Sequence, residues 1–170
     1  TDIEAVILLD NSGSMADNSK ALKAYKSMFA IKLGLQAINA SCQVITYNST
    51  AQVLYEPGDL VKSEIRDAGA NGGTDPKQAL LYAQSVFANT QRKVKILFTI
   101  TDGEWSDSKT SDQIISTLSS GGVITAIAII GDETDDRHEH LISANIKSPT
   151  HLTGLAKSIV QFAIANALVK

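Results

Sequence analysis

Two carboxylates and three hydroxyls draw the eye first, because each lies beside the end of an apolar run or the start of a helical pattern. ILLDNSGSMAD, residues 7–17, carries Asp10, Ser12 and Ser14 at alternate positions. Thr74 stands directly behind the pair Gly72-Gly73, and Asp102-Gly103 closes the run KILFTIT. Every donor in this set is oxygen, which suits a hard cation such as Mg2+, Mn2+ or Ca2+. The set holds no His or Cys, so zinc is a poor fit on donor softness. Two carboxylates held close repel, and a divalent cation relieves that repulsion. Three neutral hydroxyls leave such a cation undercharged and ready to accept an outside carboxylate. For residues 10–14 alone there is a plainer alternative: Asp, Asn and Ser are favoured at helix starts without any metal.

These residues act together only if the fold brings three distant loops to one place. IEAVILL at 3–9 reads as a strand buried on both faces, followed by a helical pattern from about Asn18 to Ile38. CQVITY at 42–47 and QVLYE at 52–56 are separated only by NSTA and predict an antiparallel hairpin. A short helix near Leu60–Arg66 and the loop DAGANGG precede TDPKQALLYAQSVFAN. That segment predicts a helix with Asp75 as N-cap, Pro76 in the first turn and Gln78 completing a capping box. Leu80, Ala83 and Phe87 share its apolar face. KVKILFTIT at 93–101 is a buried strand, and a helix from about Thr110 to Ser119 ends at Gly121-Gly122. VITAIAII at 123–130 is a strand. The acidic loop GDETDD, a short helix near Arg137–Ser143, a weak strand near His151 and a closing helix over about Leu155–Leu168 follow.

Strands alternating with helices imply parallel pairing through right-handed crossovers, and Val/Ile/Leu-rich strands imply a sheet covered on both faces. The expected fold class is therefore α/β: an open, doubly wound, mostly parallel, Rossmann-like sheet with one antiparallel edge strand. A single domain over 1–170 is expected, which could be a piece of a longer protein. Ligands in such sheets bind beyond the carboxyl ends of the strands, where strand order reverses. If the first and fourth strands are neighbours, Asp10 and Asp102 share one crevice and Thr74 reaches it from the adjacent loop.

Asp10-x-Ser12-x-Ser14, Thr74 behind its glycines and Asp102-Gly103 after a buried strand together resemble the von Willebrand factor A (vWA) domain family. The three pieces look like its metal-ion-dependent adhesion site (MIDAS), and the order of elements extends the resemblance over essentially the whole chain. The resemblance implies that Ser12 and Ser14 are direct metal ligands. It implies that Thr74 coordinates directly or through water, and that Asp10 and Asp102 act largely through water and hydrogen bonds. It further implies a protein partner whose Asp or Glu carboxylate completes the coordination, and no catalysis. An alternative within the family is a subunit or domain of an intracellular assembly, of the AAA+ chelatase type or beside an RNA-binding ring. On the rim, Asn11, Gly73, Glu104 and Trp105 are candidate partner contacts. Trp105 could equally pack over the sheet edge, and Glu104 could be a solvated acid.

Composition narrows the function classes. At 44% hydrophobic and 19% charged residues the chain is globular rather than disordered. Its net charge of -3 argues against broad nucleic-acid binding. No apolar run reaches membrane-spanning length. The lone Cys42 lies inside an apolar strand, where a buried inert thiol is expected, and the absence of further cysteines leans toward an intracellular setting. Lys20, Lys23 and Lys26 read as a solvated helix face. In DETDDRHEH, 132–140, His138 and His140 fall on different helical faces, which disfavours a metal pair. A Mg2+-dependent phosphatase of the haloacid-dehalogenase kind would need a second Asp where Ser12 stands. There is no G-x-S-x-G, P-loop or G-x-G-x-x-G. The oligomeric state is left open by the sequence.

Overall fold

The computed structural model describes residues 2–60, 72–102, 108–130 and 142–146, together with residues 157, 158, 161 and 165 of the closing segment. Strand β1 (Ile3–Asp10) leads through a 3-10 turn (Gly13–Ser19) into helix α1 (Lys20–Ala37). Strands β2 (Ser41–Tyr47) and β3 (Ala51–Tyr55), helix α2 (Lys77–Asn89), strand β4 (Val94–Thr101), helix α3 (Ser108–Ser120), strand β5 (Ile124–Ile130) and strand β6 (Ile142–Ile146) follow.

The six strands form one sheet in the order β3-β2-β1-β4-β5-β6. All pairs are parallel except the β2–β3 hairpin at the edge. The chain moves from β1 to β2 on one side and later to β4 on the other, so strand order reverses between β1 and β4. That reversal opens a crevice at the carboxyl ends of those two strands.

Period-2 alternation splits β1 between two cores. Ile3, Ala5, Ile7 and Leu9 join Ala24, Tyr25, Met28, Ile31 and Leu35 of α1 on one face. Val6 and Leu8 join Leu80, Ala83 and Phe87 of α2 and Ile115 and Leu118 of α3 on the other. Burying each large side chain is worth roughly 1.5–3 kcal/mol, so a strand apolar at the five successive positions 5–9 is stable only when covered on both sides. Lys32 is the exception inside the first core. It is wholly buried, and its Nζ donates to the carbonyls of Cys42 at 2.6 Å and Glu56 at 3.3 Å, tying the entry of β2 to the exit of β3.

Several expectations need correction. The capping box at α2 does not form. The Asp75 carboxylate accepts the Lys77 N–H at 3.0 Å, as a cap should, but the Asp75 N–H donates to the Asn48 carbonyl at 2.8 Å. Gln78 therefore has no donor to receive and is exposed. The short helix expected near Arg137–Ser143 does not include its last two residues, because Ile142 and Ser143 open β6. Ile142, Ala144 and Ile146 alternate with polar residues there, a strand pattern, and pair in parallel with β5. Leu60 is exposed and lies in no helix, while the rest of the helix expected at 60–66 falls outside the described residues. Residues 137–141 and the weak strand at His151 also fall outside them. Of the closing helix, residues 157, 158, 161 and 165 are described and are helical. No helix among the described residues is long and apolar enough to cross a membrane.

Candidate functional site

Asp10 is the last residue of β1 and is 1% exposed, a position where a carboxylate survives only if its oxygens are hydrogen-bonded. Both are. Oδ1 accepts the Ser12 backbone N–H at 2.9 Å and the Ser12 hydroxyl at 2.6 Å. Oδ2 accepts the Thr101 hydroxyl at 2.7 Å. Thr101 ends β4, one step past the registered pair Leu9–Ile100, so the parallel register itself places the hydroxyl beside Asp10. Ser12 is fully buried, and its Oγ lies 3.2 Å from the Ser14 Oγ. The alternation of the two serines thus turns both hydroxyls to one point.

Two further loops close on this point. The Gly13 N–H donates to the Gly72 carbonyl at 3.1 Å, docking the segment before Thr74 against the first loop. Gly72 has φ +78, a left-handed conformation that only glycine adopts freely. Gly13 has no such φ, and a β carbon there would lie 3.4 Å from the Gly72 carbonyl oxygen, an ordinary contact. The β2–β3 turn braces the same segment. Ser49 Oγ accepts the Gly73 N–H at 3.2 Å, a β carbon on Gly73 would meet that oxygen at 3.0 Å, and Asn48 holds Asp75. Thr74, between Gly73 and Asp75, is 9% exposed. Asp102 follows β4 directly and is 3% exposed.

The charges are in tension. Burial pushes the Asp10 carboxyl above its usual range, and the hydrogen bonds from Ser12 and Thr101 offset part of that rise. The neighbouring Asp102 charge adds to it. Lys20, at the start of α1, reaches across so that its Nζ stands 3.4 Å from Asp102 Oδ2. It is therefore part of the site and not of a solvated face, whereas Lys23 and Lys26 are exposed. Among the described residues no three His, Cys, Asp or Glu side chains gather as a metal cluster. The donors here are instead two carboxylates supplemented by hydroxyls. That all-oxygen set, with two mutually repelling carboxylates and a cationic group already drawn to one of them, fits a hard divalent cation.

Of the rim candidates, Asn11 donates its N–H to the Tyr47 carbonyl at 2.8 Å and lines a small polar recess with Thr46, Asn48, Thr50 and Gln52. Gly73 is exposed beside Thr74. Glu104 and Trp105 lie outside the described residues. Sequence reasoning missed Thr101, Lys20 and the bracing pair Asn48 and Ser49. A polar residue at the end of a strand, directly before Asp102, was the available signal for Thr101. Cys42, as expected, is buried, and burial pushes its thiol up to about 12.

A family model described as von Willebrand factor type A domain matches residues 5–104. No curated protein matches the chain. Among solved structures, a von Willebrand factor type A protein from Catenulispora acidiphila is similar at 21% identity and TM-score 0.64, over 92% of this chain and 41% of that one. Manganese-loaded TRAP protein of Plasmodium vivax is similar at 16% identity and TM-score 0.71, over 90% and 71%. Proximal thread matrix protein 1 of the mussel byssus follows at 17% identity and TM-score 0.71, over 94% and 47%. Another structure of that mussel protein is described with a zinc-occupied MIDAS motif. The chain thus spans less than half the length of two of these three relatives. At these identities the likeness is one of fold.

Proposed function

The chain belongs to the von Willebrand factor type A domain family, and from that premise we propose that it is a metal-dependent protein-binding module and not an enzyme. Domains of this family are commonly used in protein interaction. The single observation that carries the finer reading is the convergence at the β1–β4 reversal. There the buried Asp10, Ser12 and Asp102 lie together with Ser14, beneath a loop that delivers Thr74.

In this reading Ser12, Ser14 and Thr74 offer hydroxyls to a divalent cation, and Asp10 and Asp102 balance its charge. Asp10 already spends both oxygens on Ser12 and Thr101, which supports a role in orienting the hydroxyls more than in direct coordination. The bound cation would supply positive charge and an open position for a partner's Asp or Glu. Mg2+ or Mn2+ suits the donor set best. The manganese-loaded and zinc-occupied neighbours make both of those ions worth titrating alongside it.

The test is capture of binding proteins on the immobilised chain in Mg2+, in EDTA, and with Ser12→Ala. Partners retained in Mg2+ and lost in both other arms are expected. Retention in excess EDTA would overturn the proposal.

A further inference from the structure

Lys20 begins α1 immediately after the 3-10 turn, and its stem carries the ammonium to Asp102, the residue that follows β4. The ammonium stands 3.4 Å from Asp102 Oδ2. The Asp102 side chain is 1% exposed and that of Lys20 is 23% exposed. The carboxylate is sealed in the fold, whereas the lysine keeps a route to water. A divalent cation relying on Asp102 would draw on the same oxygens. An ammonium and a doubly charged ion within a few ångströms repel strongly in a partly desolvated cleft. A long flexible stem that is partly exposed can swing outward at modest cost.

We propose that Lys20 is a tethered cation that competes with the divalent ion for Asp102, holding the site's metal affinity below what its oxygen ligands alone would give. The inference rests on the metal-binding reading above. Its consequence is a site that takes up metal weakly and reversibly. The local charge balance is tuned by a residue that is not itself a ligand. Lys20→Met removes the competitor while keeping the stem and the helix. Lys20→Arg keeps the charge.

The test is titration of the full chain with Mn2+ by isothermal calorimetry, together with thermal melts in EDTA. We expect Lys20→Met to bind Mn2+ about tenfold tighter, corresponding to roughly 1.4 kcal/mol. In EDTA it should melt no higher than the wild type, because Asp102 has lost its counter-charge. Lys20→Arg should stay near wild-type affinity, which a merely structural role of the side chain would not require. Unchanged or weaker Mn2+ binding by folded Lys20→Met overturns the inference while leaving the metal site standing. Absence of Mn2+ binding in the wild type and both variants overturns the metal-binding reading and this inference with it. Should Lys20→Met not fold, Lys20→Gln carries the same comparison.

Discussion

Thr101→Val is the substitution that probes the site most cleanly. It keeps the shape and the β-branched strand preference of a residue that is wholly buried at the end of β4, and removes one hydroxyl. That hydroxyl lies 2.7 Å from Asp10 Oδ2 and is the one donor to that oxygen identified among the described residues. Hydrogen bonds to charged groups contribute about 1.5–3 kcal/mol, and a buried carboxylate oxygen left without a donor sits at the upper end. For a domain of this size each kcal/mol shifts the melting temperature by roughly 2–4 °C, so a fall of about 3–12 °C is expected. Urea unfolding should give the same free-energy loss with an unchanged m-value. Thr99→Val, in the same strand, supplies a control without a contact to Asp10. If Thr101→Val costs under about 0.5 kcal/mol, Asp10 is not held through Oδ2, and the claim that β1–β4 register builds the site is wrong.

Other perturbations test other parts of the fold. Lys32→Ala removes three buried methylenes at about 0.8 kcal/mol each and the donor to the Cys42 and Glu56 carbonyls. A loss of about 3–5 kcal/mol is expected by chemical denaturation, with a smaller loss for Lys32→Met. Cys42, with its thiol pushed up to about 12 by burial, should resist iodoacetamide at pH 8 in the native state and react at once in urea. The sign is fixed: the folded value lies above the ordinary one, so native stability falls as pH climbs from the unfolded thiol's range toward 12. Asp75→Ala should cost about 1 kcal/mol through loss of the α2 cap, whereas Gln78→Ala should be neutral, since Asn48 already occupies the N–H a capping box needs.

Much of the fold is written in local patterns. Predominantly apolar runs at 3–9, 94–100 and 124–130 mark strands covered on both faces, and the three residues between β2 and β3 dictate the hairpin. Asp10, Ser12 and Ser14 are likewise local, because hydrogen bonds within this short stretch, from Ser12 to the Asp10 carboxylate and between the two serine hydroxyls, hold the three side chains together. What escaped depends on long-range register. Thr101 meets Asp10 only because β1 and β4 pair as Leu9 with Ile100. Lys20 shares its spacing with Lys23 and Lys26, yet the first turn of α1 overlies the crevice and the next two point to water. The burial of Lys32 likewise depends on distant carbonyl partners, contributed by β2 and the residue after β3. The capping box at α2 failed for the same reason: a distant backbone carbonyl, that of Asn48, outcompeted a local side chain. β6 was hidden by its brevity and its two polar residues.

The central claim is that Asp10, Ser12, Ser14, Thr74 and Asp102 hold a divalent cation. Titration with Mn2+ followed by electron paramagnetic resonance tests it most directly, since free Mn2+ is counted as it disappears. One equivalent should bind, Mg2+ should displace it, and Ser12→Ala and Asp102→Ala should each abolish binding while circular dichroism shows the fold retained. Mn2+ uptake that is undiminished in both variants, or absent from the folded wild type, would contradict the account.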